Sequence, residues 1–298
     1  MADWLLLLVV AGAYGVGLHR IWRGAGPGSL VRRGQVWSFA GGMAAVAVAM
    51  APPLDSAVDR SLTVHMVQHV VLLSVAAPLL ALGAPLPTLL WALPAGRRGS
   101  GMRLWRRALA AQHGAQWFAW VAGAVVLQSV VMWAWHAPPL FGAALRQPAL
   151  HALEHASFLA TSVLLWWVLT ARRSRRGAAA LAVFVASFPG TALGAALLLA
   201  PRPWYAEYVR TTTVAALGDQ QTAGVVMWAF VGLVYVVAAA VLFASWMADG
   251  NGMEEPEIVV PPWPGLAGRP VGPQTARQAA SRAAARQAPA TQAGRRAH

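Results

Sequence analysis

The chain has 298 residues, 58% hydrophobic and 11% charged, which excludes an ordinary soluble domain and implies several membrane spans. It has no cysteine, so disulfides and thiolate metal ligation are excluded. Its formal net charge of +13 comes from 23 basic residues, all arginine, against 10 acidic ones. These arginines fall between apolar runs, where they set membrane topology, and no nucleic-acid partner is expected.

The start, MADWLLLLVVAGAYGVGL, has no positive charge before its apolar run, and arginines follow it. That order predicts an uncleaved first span with its N-terminus outside. Further apolar runs complete an all-α polytopic membrane protein with seven transmembrane helices, roughly 4–20, 36–54, 64–84, 117–135, 149–170, 178–200 and 222–247. The third run contains Pro78, a natural place for a kink. The PLPTLLWALP stretch at 85–94 reaches only ~15 Å as a helix, so it is read as interfacial. Arginines crowd the loops 20–35, 95–116 and 171–177 and are sparse in 55–63, 136–148 and 201–221. This alternation predicts an outside N-terminus and a cytoplasmic C-terminus. Residues 1–248 thus form the membrane domain, and 249–298, rich in Pro, Ala, Gln and Arg, read as a disordered cytoplasmic tail.

With this topology, five histidines share the outer membrane face. His65 and His69 open the third span, His136 ends the fourth, and His151 and His155 open the fifth. The four-residue spacing places each pair on one helix face. Polar groups at membrane depth turn toward the bundle interior, so three helices can aim imidazoles into one outward-facing pocket. Met66, Met132 and Met227 can add thioethers, and Glu154, Asp55, Asp59 and Asp219 lie at similar depth. Imidazoles with thioethers and no thiolate suit copper, while imidazole alone also suits zinc, iron or nickel. A plainer reading stays beside this one: the histidines bond Gln68, Gln128 or helix-end backbone, and the methionines are core. Trp133, Trp135, Trp204 and Tyr205 read as an interfacial aromatic belt.

Residues 151–155, HALEH, match the H-x-x-E-H arrangement of inverted zinc proteases, in which the glutamate activates water. A third ligand and a substrate cleft are not identifiable from sequence. Glu154 can also serve simply as an acidic group near a helix N-terminus.

HMVQHVVLLSVAAPLLALGAP at 65–85, WHAPPLF at 135–141, HALEHASFLATSVLLWW at 151–167 and DQQTAGVVMW at 219–228 together resemble the CtaG family. These are polytopic assembly factors of caa-type cytochrome c oxidase in bacteria. The resemblance covers about residues 4–247. It implies a non-enzymatic role in making the haem–copper oxidase competent at its copper B centre. The motif positions it marks are His65, Met66 and His69; His136; His151, Glu154 and His155; and Asp219 and Met227.

The expected protein is therefore a bacterial inner-membrane assembly factor. It holds Cu(I), with zinc as the other candidate metal, receives it from a periplasmic copper donor and passes it to the oxidase catalytic subunit. Binding is expected to weaken below pH ~6.5, because imidazole ligates only when neutral. A metal-free scaffold for oxidase assembly and a membrane-embedded zinc hydrolase are the alternatives.

Overall fold

The computed structural model describes residues 2–28, 30–171, 175–210 and 212–248, and these contain helices and turns but no strand. The expected tail at 249–298 lies outside the described residues. Helix α1 (Ala2–Ala25) is followed by α2 (Arg33–Ala49) and a single turn, α3 (Pro52–Asp55). Helix α4 (Leu62–Val70) runs through a π-helical turn at Val71–Ala76 into α5 (Ala77–Leu82). Short α6 (Pro85–Ala92) occupies the stretch read as interfacial, and the arginine-rich loop after it is helix α7 (Ala95–Ala110). Then come α8 (Gln116–Trp135), α9 (Pro138–Arg146), α10 (Pro148–Thr170), α11 (Arg176–Ala186), α12 (Phe188–Leu199) and α13 (Thr213–Ala248).

Six helical segments among the described residues are long and apolar enough to cross a membrane: Trp4–Ala25, Leu62–Leu82, Gln116–Trp135, Pro148–Thr170, Arg176–Leu199 and Thr213–Ala248. The second expected span is not among them. Its helix, α2, has 17 residues, which reach about 25 Å against a hydrocarbon core of about 30 Å. The sixth expected span is two helices meeting at Ser187, where Pro189 supplies no amide to continue α11. The seventh is longer than expected: α13 begins at Thr213, so Asp219 and Gln220 lie on a helix and not in a loop.

Pro78 sits just beyond the π turn, where the looser i→i+5 pattern accommodates the missing amide without a break. Packing around it is close. A Cβ on Gly42 would lie 2.7 Å from Leu80, which seats α2 on α5. A Cβ on Gly224 of α13 would lie 2.6 Å from the Gly194 carbonyl and from the Leu198 amide of α12, so these helices meet backbone to backbone. Trp117, Phe158, Leu165 and Leu169 build the apolar core between α8 and α10, and the Trp117 indole donates to the Val168 carbonyl at 3.2 Å.

Candidate metal centre

Helix α4 starts where Asp219 tells it to. The Asp219 carboxylate accepts from the Leu62 amide at 2.6 Å, the Thr63 amide at 3.2 Å, the Thr63 hydroxyl at 2.6 Å and the Ser61 hydroxyl at 2.9 Å. A carboxylate at a helix N-terminus satisfies amides that have no partner inside the helix and favours the positive end of the dipole. With this start, His65 and His69 fall one turn apart on the buried face of α4. Helix α10 opens with Pro148 and brings His151 and His155 forward on the same spacing, with Glu154 beside them. His136, directly after α8, completes the set.

These five imidazoles form one cluster. Ring centroids lie 4.4 Å apart for His65–His69, 5.2 Å for His65–His151, 4.2 Å for His151–His155, 5.3 Å for His69–His155 and 5.4 Å for His69–His136. Ligand atoms of His65, His151, Glu154 and His155 all lie within 4.8 Å of one another, a group able to hold a metal ion. Glu154 Oε1 also stands 3.6 Å from His69 Nε2. His65, His69 and Glu154 are 0% exposed, His136 2% and His155 6%.

Burial of this kind requires partners, and several of these atoms have none within the protein. His65 Nε2, both ring nitrogens of His69, His136 Nε2, His155 Nε2 and both Glu154 oxygens make no hydrogen bond. Leaving one such group unsatisfied costs about 1–3 kcal/mol, so a cluster of them calls for partners from outside the chain, water or an ion. The glutamines do not serve the histidines: Gln68 donates to Ala49 and Asp55, and Gln128 to Ser162; of the five, His136 does bond helix-end backbone, at the Met132 carbonyl.

Two of the histidines have their protons placed by neighbours. The Tyr208 hydroxyl donates to the Val58 carbonyl at 2.8 Å, which leaves it to accept from His65 Nδ1–H at 3.1 Å. His136 Nδ1 lies 2.7 Å from the Met132 carbonyl, which can only accept. Both rings therefore carry the proton on Nδ1 and turn the Nε2 lone pair into the cluster, the arrangement that orients ligating histidines. Tyr205 adds a brace, donating to the His136 carbonyl at 2.9 Å while its ring lies 4.1 Å from that of Phe141. Both tyrosines lie between the spans, on the segment around the short 3-10 turn Ala206–Tyr208. Burial, aided by Glu154, raises the Tyr205 phenol above its ordinary value. Burial, then Asp59, Asp219, Glu154 and Tyr205, raises Tyr208 in the same direction. Both remain neutral donors across the physiological range.

The structure sorts the sequence-derived candidates. His65, His69, His136, His151, His155 and Glu154 are brought together. Asp219 is not: its carboxylate is engaged at the start of α4. Met66, between the two histidines of α4 in sequence, is fully buried in the apolar core cluster. Met227 lines a cavity of about 20 Å³ beside His69 and His136, together with Met132. Tyr205, read from sequence as part of an aromatic belt, is instead 1% exposed and inside the site. Tyr208, which sequence reasoning passed over, touches the cluster through His65, and its only signal is the aromatic density of WYAEY at 204–208. His151 and His155 also line a groove of about 730 Å³ between α1, α2 and α10, so the cluster has a lateral approach.

Fold and site define a polytopic helical membrane protein with a buried histidine–carboxylate centre at one end of its bundle. The family model for the cytochrome c oxidase caa3 assembly factor (Caa3_CtaG) matches residues 12–249, and the chain belongs to that family. No curated protein and no solved structure matches it. Family membership indicates a cytochrome c oxidase assembly factor, which implies interaction with the oxidase.

Proposed function

We propose that this protein holds copper at the histidine–carboxylate centre and delivers it to the copper B centre of the oxidase catalytic subunit. The observation that carries the reading is the convergence of buried, unpartnered imidazole and carboxylate atoms from three helices, with the His65 and His136 lone pairs set inward. His65, His151, His155 and Glu154 hold the ion, with His69 in reach. Imidazole ligands suit copper and zinc alike, and the oxidase context favours copper as the cargo. Cu(I) arrives from a periplasmic donor and leaves by ligand exchange through the groove at His151. The protein sits in a bacterial inner membrane with seven crossings, α2 being the short one. Its N-terminus is outside, its C-terminus cytoplasmic, and the centre faces outward.

The test is the metal content of detergent-purified protein after anaerobic loading with Cu(I) or Zn(II), against a His69→Ala/His155→Ala variant. Copper at one or more ions per chain in the wild type, lost in a variant that still folds, supports the reading. No metal in either, or equal metal in both, refutes it and favours a metal-free scaffold.

One observation keeps the zinc hydrolase as a second reading. His65 stands where HALEH needs a third ligand, and the lateral groove reaches the same place. In that case Glu154 is the general base, and Glu154→Gln abolishes peptide hydrolysis by the zinc-loaded protein while sparing metal. Absence of any zinc-dependent turnover in the wild type removes this reading.

A further inference from the structure

The histidine cluster has two sides. His151 and His155 face the lateral groove, whereas His69 and His136 face a separate, small cavity of about 20 Å³ between α4, α8, α12 and α13. That volume exceeds the ~10–15 Å³ one water needs, so it admits a single small guest. Its wall differs in chemistry from the outer group. It carries no carboxylate and two thioethers, Met132 and Met227, both buried. Three buried polar side chains on this wall have atoms without a hydrogen bond: both nitrogens of His69, of which Nε2 stands 3.6 Å from Glu154 Oε1, His136 Nε2 and Ser74 Oγ. A wall of pure apolar residues would be a packing void, and a fully bonded polar wall would need no guest. This one is neither.

We infer that this small cavity is a second metal subsite, selective for Cu(I), made by His69, His136, Met132 and Met227. The inference rests on the outer centre being a metal site and adds a division of labour to it. Soft thioethers favour Cu(I), whereas zinc takes nitrogen, carboxylate oxygen or thiolate. His69 belongs to both groups, its ring 5.3 Å from His155 on one side and 5.4 Å from His136 on the other. An ion held at the outer, mixed imidazole–carboxylate group passes to the inner group by exchanging ligands around His69, with no change of oxidation state. The outer group accepts either metal; the inner one retains only Cu(I).

The experiment compares full-length wild type with a Met132→Leu/Met227→Leu variant, which keeps side-chain volume while removing both sulfurs. Each is loaded anaerobically with Cu(I) or Zn(II), counted for metal and, for copper, measured by X-ray absorption at the copper edge. The expected result is two Cu(I) but one Zn(II) in the wild type, with sulfur among the copper neighbours. The variant then holds one Cu(I) and one Zn(II), with sulfur gone. Unchanged zinc binding in the variant reports that it is folded. If it fails to fold, the single Met227→Leu variant is measured the same way and is expected to lose at least half the sulfur signal. One Cu(I) per wild-type chain with only nitrogen and oxygen neighbours overturns the inner subsite and leaves the outer one standing. Equal copper counts in wild type and folded variant also overturn it, and the cavity then holds water. No metal of either kind in the wild type overturns the outer reading, and the inner one with it.

Discussion

His65 and Tyr208 share a single hydrogen bond of 3.1 Å whose direction is forced, because the Tyr208 proton is committed to the Val58 carbonyl. Replacing Tyr208 by Phe removes the acceptor for His65 Nδ1–H and frees the ring to change tautomer. Loss of such an orienting partner typically costs about 10–100-fold in metal affinity. Cu(I) affinity of Tyr208→Phe, measured by competition with a chromophoric chelator, is expected to fall within that range. An affinity equal to wild type would show that the tautomer lock has no bearing on binding.

Asp219 acts on the same centre from a distance. Its carboxylate serves two backbone amides and two hydroxyls at the start of the helix that carries His65 and His69. Loss of an N-terminal cap costs about 0.5–2 kcal/mol, and this one has more bonds than most. Asp219→Ala is expected to lower the thermal unfolding midpoint in detergent with and without metal. Asp219 as a direct ligand predicts something different: a loss of metal with an unchanged apo midpoint.

This pair of residues also shows what was legible in the sequence. Four-residue histidine spacing and the ends of apolar runs were enough to collect five imidazoles and Glu154, because helical geometry and membrane depth together leave little freedom. Depth alone misplaced Asp219, which shares the level of the histidines but turns to α4. Tyr205 and Tyr208 were hidden for a related reason: an aromatic near a span end fits both an interfacial belt and a buried brace, and only tertiary packing decides. The length of α2 and the break at Ser187 depend on local backbone choices that hydropathy averages away.

The two tyrosines give an alkaline signature. Burial raises both phenols above the value of about 10 they have in an unfolded chain. The folded state therefore keeps its phenol protons where the unfolded state has lost them, so stability is intact below pH ~10 and falls as pH rises beyond it. Each phenol contributes a slope of up to about 1.4 kcal/mol per pH unit. Unfolding midpoints in detergent are expected to be steady from pH 8 to 10 and to drop above. In Tyr205→Phe the drop is expected to be shallower; an identical profile would place the alkaline loss elsewhere.

The contact between α12 and α13 supplies a stability test with an internal control. A methyl group at Gly224 meets the Gly194 carbonyl at 2.6 Å, whereas at Gly218, on the same helix, it meets nothing within 4 Å. Gly224→Ala is expected to destabilise by about 1–3 kcal/mol through overpacking. Gly218→Ala is expected to be neutral or slightly stabilising, since Ala favours helix by up to about 1 kcal/mol. Equal behaviour of the two variants in thermal unfolding would mean that the close approach is not structural.

The π turn at Val71–Ala76 joins two stretches of one helix that answer to different neighbours: His65 and His69 to the cluster, Leu80 to Gly42. Each residue of an α-helix advances the side-chain direction by about 100°, and a π turn absorbs one residue more than an α turn would. It works as a phase shifter. Inserting one further residue there would keep every ligand and the overall hydrophobicity, yet turn one half of the helix away from its neighbours. The centre is therefore tied to the number of residues between His69 and Leu80 as firmly as to their identity.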